Sequence, residues 1–198
     1  MPSRGRDTPD ETIVKLKICL VGDSAVGKTS LVRRYVKDQF NDEYLKTVGA
    51  KVAKKTVTIP WNGTMIRVDM ILWDIAGMGG MDSVFRRDYL WGTQGVLAVC
   101  DATDDKTISR VGGWVKAVRE LAGDVPIQVV INKADADDAS VSNDPRVPRV
   151  DSNISWIRTS AKTGDNVERA FYELAKSIVL EKMIPKLASR ESSLPRPQ

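Results

Sequence analysis

Residues 22–29 read Gly22-Asp23-Ser24-Ala25-Val26-Gly27-Lys28-Thr29, a match to G-x-x-x-x-G-K-[ST]. Each residue type in that pattern has a job around phosphate. Glycines let a loop curl until its backbone N–H groups face an anion, and a following helix adds the positive end of its dipole. An ammonium such as Lys28 can bridge the outer phosphates of a nucleotide and stabilise charge that develops on them, and a hydroxyl such as Thr29 can ligate Mg²⁺. Ser30 follows directly. The motif points to a nucleoside triphosphate without naming its base.

Two further groups bear on the base. In Asn132-Lys133-Ala134-Asp135 a carboxylate can accept two N–H donors from the Watson–Crick edge of guanine. Adenine lacks that donor pair and would leave the carboxylate unmatched, at a cost of a few kcal/mol. In Ser160-Ala161-Lys162 backbone N–H groups can meet the base carbonyl. A third group, Asp74-Ile75-Ala76-Gly77, bears on the phosphates. Its acid can hold magnesium through water, and Gly77 allows an N–H to approach the terminal phosphate. Taken singly, these three are ordinary turn chemistry.

The elements around them predict their placement. Lys15 to Val21 is an apolar strand leading into the glycine loop, and a helix begins near Lys28 with Leu31, Val32 and Tyr35 on one face. Lys51 to Pro60 and Thr64 to Ile75 flank Trp61-Asn62-Gly63, and Asn-Gly is a strong hairpin signal, so this pair is expected to be antiparallel. A helix follows over Met81 to Trp91, then a buried strand Gly95 to Asp101, a helix from Thr107 to Leu121 and a second buried strand, Ile127 to Asn132. The last helix starts after Thr163-Gly164, with Val167, Ala170, Phe171, Leu174 and Ile178 at helical spacing. Between Asp135 and Thr159 lie Pro145, Pro148 and many polar residues without an apolar period, which predicts an irregular loop and no full helix.

Short apolar strands alternating with helices imply an α/β fold, a mostly parallel sheet with one antiparallel strand and helices on both faces. Ligands in such folds bind outside the carboxyl ends of the strands, where every motif above falls. The expected division is an N-terminal arm at 1–12, one domain at 13–184 and a basic tail at 185–198, both ends being polar and disordered.

Composition removes rival chemistries. The 198 residues contain no histidine and two cysteines, Cys19 and Cys100, without CxxC spacing. That removes a disulfide scaffold, a His-ligated zinc and a histidine base. A formal charge of +4 suggests an anionic partner, yet Lys182, Lys186, Arg190 and Arg196 against Glu191 put most of it after Glu181. The nearly balanced body argues against a nucleic-acid interface. No run reaches the roughly 18 apolar residues of a membrane helix, and the N-terminus lacks the apolar core of a secretory signal.

Read together, the motifs make the chain resemble the Ras superfamily of small GTPases, P-loop nucleotide hydrolases, and its Rab-like branch most closely. The resemblance runs from about Ile13 to Glu181 and rests on GDSAVGKT, Tyr44-Leu45-Lys46-Thr47-Val48-Gly49, DIAG, NKAD and TSAKTG in family order. It implies a P-loop fold with a six-stranded sheet, and a GTP/GDP switch that uses Mg²⁺. Phe40 corresponds to the aromatic that leans on guanine, and Tyr44 falls in the first switch segment. Thr47 corresponds to the switch threonine whose hydroxyl reaches Mg²⁺ when the γ-phosphate is present. Segments 38–48 and 77–87 correspond to the switches, which meet effector, exchange and activating proteins.

One departure concerns catalysis. Where the family carries a glutamine that orients the attacking water, this chain has Met78, followed by Gly79 and Gly80. A thioether donates no hydrogen bond, so unassisted hydrolysis is expected to be slow. The protein could rest in its triphosphate state, a partner could supply the missing groups, or Arg86 or Arg87 could swing in. A nucleotide-binding scaffold with negligible turnover is the competing reading, and a P-loop kinase for a small molecule a weaker third. The chain ends Pro195-Arg196-Pro197-Gln198, without the cysteines that Ras and Rab relatives prenylate, so anchoring by that route is not expected. A monomeric, cytoplasmic protein is expected.

Overall fold

A computed structural model describes residues 13–38, 49–77, 85–136 and 154–184. Six strands form one sheet: β1 (Ile13–Val21), β2 (Ala50–Trp61), β3 (Thr64–Ile75), β4 (Gly95–Asp101), β5 (Ile127–Asn132) and β6 (Ser155–Arg158). Their order across the sheet is β2-β3-β1-β4-β5-β6, with β2 antiparallel to β3 and every other pair parallel. The expected α/β architecture is therefore present. The hairpin turns at Asn62 and Gly63 with φ of 45° and 77°, the left-handed pair that Asn-Gly adopts at least cost.

Helices α1 (Lys28–Lys37), α2 (Phe85–Leu90), α3 (Asp105–Ala122) and α4 (Val167–Ser177) pack on the sheet, and a π-helical turn Ile178–Met183 prolongs α4. On one face Leu16, Ile18, Leu20, Leu72 and Val99 meet α1 and α4, where Tyr35 stacks on Phe171 with ring centroids 4.1 Å apart. On the other Cys19, Val96, Ala98 and Cys100 meet Ile108, Val111, Trp114, Val115 and Val118 of α3. Burial of such side chains contributes about 1.5–3 kcal/mol each. Both cysteines are free thiols in this core, and burial pushes the Cys19 thiol up.

Boundaries moved where a local device overrode periodicity. The third helix starts at Asp105, two residues before the expected Thr107, because the Asp104 side chain accepts a hydrogen bond from Lys106 N and caps it. The segment read as irregular contains β6, which corrects that expectation. Four residues are too few for a sequence period, and β6 is defined by parallel pairing with β5 from Gln128↔Ser155 to Ile131↔Arg158. A single 3-10 turn, Ala134–Ala136, follows β5. The expected lack of a helix over 137–153, the start of the helix at 81–84, and the terminal arm and tail lie outside the described residues.

Candidate functional site

The glycine loop joins the end of β1 to α1 and folds back on itself. Gly22 (φ +139°) lies so close to β4 that a Cβ there would sit 2.1 Å from the Val99 carbonyl oxygen. At Gly27 (φ +97°) a Cβ would sit 2.2 Å from Asn132 Nδ2. Ala25 also holds a left-handed φ of 65°. The curl leaves the Lys28 ammonium inside it, donating to the carbonyls of Gly22 (2.9 Å) and Asp23 (2.7 Å). Ser24 lies within this curl and Ser30 in the first turn of α1, and Val26 is in the core, 1% exposed.

Asp74, at the end of β3, accepts a 2.5 Å hydrogen bond from the Thr29 hydroxyl and is almost wholly buried. This brings the predicted hydroxyl and carboxylate together from positions 45 residues apart. Gly77 packs under the loop, where a Cβ would lie 2.6 Å from the backbone of Asp23 and Ser24. An unsubstituted carbon is needed there for the approach of β3 to the loop.

Asp23 does not turn inward. Its carboxylate accepts from Trp114 Nε1 (2.9 Å) and Arg110 Nη1 (3.2 Å), both on α3. A carboxylate facing phosphates would repel them, and α3 holds this one away. Sequence reasoning missed Trp114 and Arg110, since no local pattern marks a helix residue that caps a loop 87 or more positions earlier.

At the other end of the site Asn132, 1% exposed, is a tie between loops. Its Nδ2 donates to the Val26 carbonyl (2.9 Å), and its Oδ1 accepts from Ala161 N (3.1 Å) and Thr159 Oγ1 (3.2 Å). Lys133 takes a left-handed φ of 64° and places its ammonium 2.6 Å from Asp101 Oδ2. Burial pushes the Asp101 carboxyl up, but hydrogen bonds from Lys133 and Thr103 outweigh it and hold the group below the usual carboxylate range. The Asp135 carboxylate accepts from Ser160 Oγ at 2.6 Å.

The N–H groups of the Ser160-Ala161-Lys162 turn are less available than expected. Ser160 N donates to Asp165 O and Ala161 N to Asn132 Oδ1, so those two close the turn. Phe40, Tyr44, Thr47 and Met78 lie outside the described residues, as does the side chain of Arg86; Arg87, on α2, is exposed.

A loop of glycines curled around an ammonium, a hydroxyl–carboxylate pair beside it and a second loop cluster beyond it all lie at the carboxyl ends of the strands. This defines a P-loop nucleotide-binding α/β domain. The profile of the Ras family matches residues 17–180. The chain is 37% identical over 165 residues to Ras-related protein SEC4 of Saccharomyces cerevisiae, covering 82% of this chain and 74% of the relative. It is 34% identical over 166 residues to human Ras-related protein Rab-8B (82% and 78% covered), and 32% over 168 to rat Ras-related protein Rab-13 (83% and 80%). The chain belongs to the Ras family of small GTPases, in its Rab branch. It binds guanine nucleotide, hydrolyses GTP and works as a molecular switch. Among the described residues no helix is long and apolar enough to cross a membrane.

Proposed function

We propose that the switch runs through the residues above in defined roles and that its unassisted hydrolysis is slow. The observation that supports the roles best is the pairing of Thr29 with Asp74 beside the Lys28 loop, which collects a hydroxyl, a carboxylate and an ammonium where β- and γ-phosphates would lie. Lys28 and the loop N–H groups of residues 24–29 hold the phosphates, Gly77 gives the γ-phosphate room, and Thr47 joins when that phosphate is present. Asp135 accepts the guanine N–H groups, Lys162 N donates to the base carbonyl, and Phe40 and the Lys133 stem flank the base. Asn132 and Ala161 support this pocket, and Tyr44 belongs to the segment that closes over the nucleotide.

The donor set fits magnesium: Thr29 Oγ1 and Asp74 Oδ2 are hard oxygens 2.5 Å apart, with no nitrogen or sulfur ligand involved. When bound, Mg²⁺ neutralises phosphate charge, and Thr29 directly and Asp74 through water would hold it. In the reaction a water attacks the γ-phosphorus, the bond from that phosphorus to the bridging oxygen of the β-phosphate breaks, the water's proton passes to the released phosphate, and Lys28 stabilises the charge left on the diphosphate. Met78 offers the water no hydrogen-bond donor, so positioning of the water falls to a partner or to Arg86 or Arg87. Partners engage segments 38–48 and 77–87 together with strand β2, where Val52 is 54% exposed.

Single-turnover GTP hydrolysis of wild type beside Met78→Gln tests the slow rate. The glutamine is expected to accelerate it by at least about tenfold; no acceleration refutes the role given to Met78. Asp135→Asn is expected to shift preference away from guanine. Unchanged selectivity for GTP over ATP would refute the base assignment.

A further inference from the structure

Arg34, on α1, spends two guanidinium nitrogens on one distant turn and the third on Asp38, at the C-cap of its own helix. Nε donates to Ala161 O (2.9 Å), Nη2 to Lys162 O (2.6 Å) and Nη1 to Asp38 Oδ1 (3.1 Å). Its side chain is 18% exposed, and its Cδ lies 3.8 Å from where a Cβ of Gly164 would be. This is a half-buried fork on two consecutive carbonyls about 127 positions away, and gripping both fixes a geometry that a single surface ion pair does not.

Peptide planarity turns that fork into an aiming device. In a trans peptide the C=O of one residue and the N–H of the next point in opposite directions. Holding Ala161 O toward α1 therefore directs Lys162 N–H away from α1. Holding Lys162 O in the same way directs Thr163 N–H, which donates to Ser160 Oγ (3.0 Å). Ser160 Oγ in turn donates to Asp135 Oδ1 (2.6 Å). A chain of hydrogen bonds thus runs from Arg34 to the carboxylate that reads the base.

We propose that Arg34 is a positioning residue for base recognition: its grip on the Ala161 and Lys162 carbonyls aims Lys162 N–H and, through Thr163 and Ser160, the Asp135 carboxylate, and so sets how fast guanine nucleotide is released. The proposal rests on the base assignment made above. Arg34 bonds the base side of the site directly and reaches the phosphate loop only through Ala161 and Asn132, so its main effect falls on the base.

The test compares release of GDP with release of purine riboside diphosphate, which lacks the 6-oxo group, N1–H and the 2-amino group, from wild type, Arg34→Gln and Arg34→Lys. Loss of charge-assisted bonds to the loop is expected to speed GDP release about tenfold in Arg34→Gln. Arg34→Lys keeps the charge but cannot span two carbonyls, and about threefold is expected there. Release of the analogue should stay within about twofold of wild type in both, because the contacts that Arg34 aims are already missing. Should Arg34→Gln fail to fold, Arg34→Lys carries the comparison. Unchanged GDP release, or equal acceleration of both nucleotides, overturns the proposal, the latter because general loosening does not distinguish bases. If wild type itself releases both nucleotides at one rate, the base assignment falls and the proposal with it.

Discussion

Replacing Asn132 by alanine removes the tie between the phosphate loop and the base loop, and the structure sets the size of the loss. Three hydrogen bonds vanish, at 2.9, 3.1 and 3.2 Å, from a residue that is 1% exposed. The Thr159 hydroxyl can rotate to another acceptor, whereas the Val26 carbonyl and the Ala161 N–H cannot. Each buried group left unmatched costs about 1–3 kcal/mol, so a loss of about 3 kcal/mol is expected after partial relaxation. With a urea dependence of about 2 kcal/mol/M, the unfolding midpoint of the GDP-bound protein should fall by about 1.5 M at unchanged slope. GDP release should quicken too, since both loops lose their shared anchor.

The same pair supplies an internal control. A Cβ at Gly27 would collide with Asn132 Nδ2 at 2.2 Å, so Gly27→Ala carries a clash in wild type that Asn132→Ala relieves. In both backgrounds it also carries the cost of its φ of +97°, about 1–2 kcal/mol. Gly27→Ala must therefore be less harmful beside Asn132→Ala than alone. A cost for Asn132→Ala under about 1 kcal/mol, or an equal cost of Gly27→Ala in both backgrounds, would show that this tie does not hold the loops together.

Gly22→Ala is expected to cost more than about 3 kcal/mol, read by thermal unfolding, because its Cβ meets the rigid Val99 carbonyl at 2.1 Å rather than a side chain that can move. Asp101 contributes with a definite sign. Its carboxyl is held below the usual range in the folded state, so its stabilisation is fully present above the unfolded value and is lost as pH falls through the folded one. Asp101→Asn should be less stable than wild type at neutral pH by about 1 kcal/mol, with the half-exposed Lys133 limiting the gain, and urea midpoints should converge on acidification. The Tyr35 hydroxyl is buried without a partner among the described residues, and burial beside Glu168 keeps it protonated. Tyr35→Phe keeps the stack on Phe171 and should raise stability by about 1 kcal/mol, and a loss of that size in chemical denaturation would refute this.

Much of this molecule was legible in the chain because its signals are local. Strands Gly95–Asp101, Ile127–Asn132 and Thr64–Ile75 lie where their apolar runs begin and end, and Asn62-Gly63 makes the hairpin that its backbone preferences require. The four-residue β6 was not legible as an element, since its definition comes from pairing with β5. Direction of side chains was legible least. Asp23 stands in the phosphate-binding motif, yet its carboxylate leaves the pocket for Trp114 and Arg110. Asn132 stands in the base motif, yet it holds backbone groups.

The sequence by itself determined the chemical inventory: glycines where the backbone must curl, an ammonium and a hydroxyl at the start of a helix, a carboxylate at each of two strand ends, and Met78 where a water-orienting amide is expected. Local geometry and residue chemistry suffice for the glycines, the ammonium, the hydroxyl and the carboxylates, because each acts within a few bonds of its neighbours, and the meaning of Met78 comes from the family resemblance. Only the tertiary structure decided which residues hold the inventory in place. The Asn132 tie, the α3 grip on Asp23 and the Arg34 fork each join segments 87 or more residues apart. Hydrogen bonds of that span follow from how strands order across a sheet and helices pack on it, and no window of the chain contains both partners.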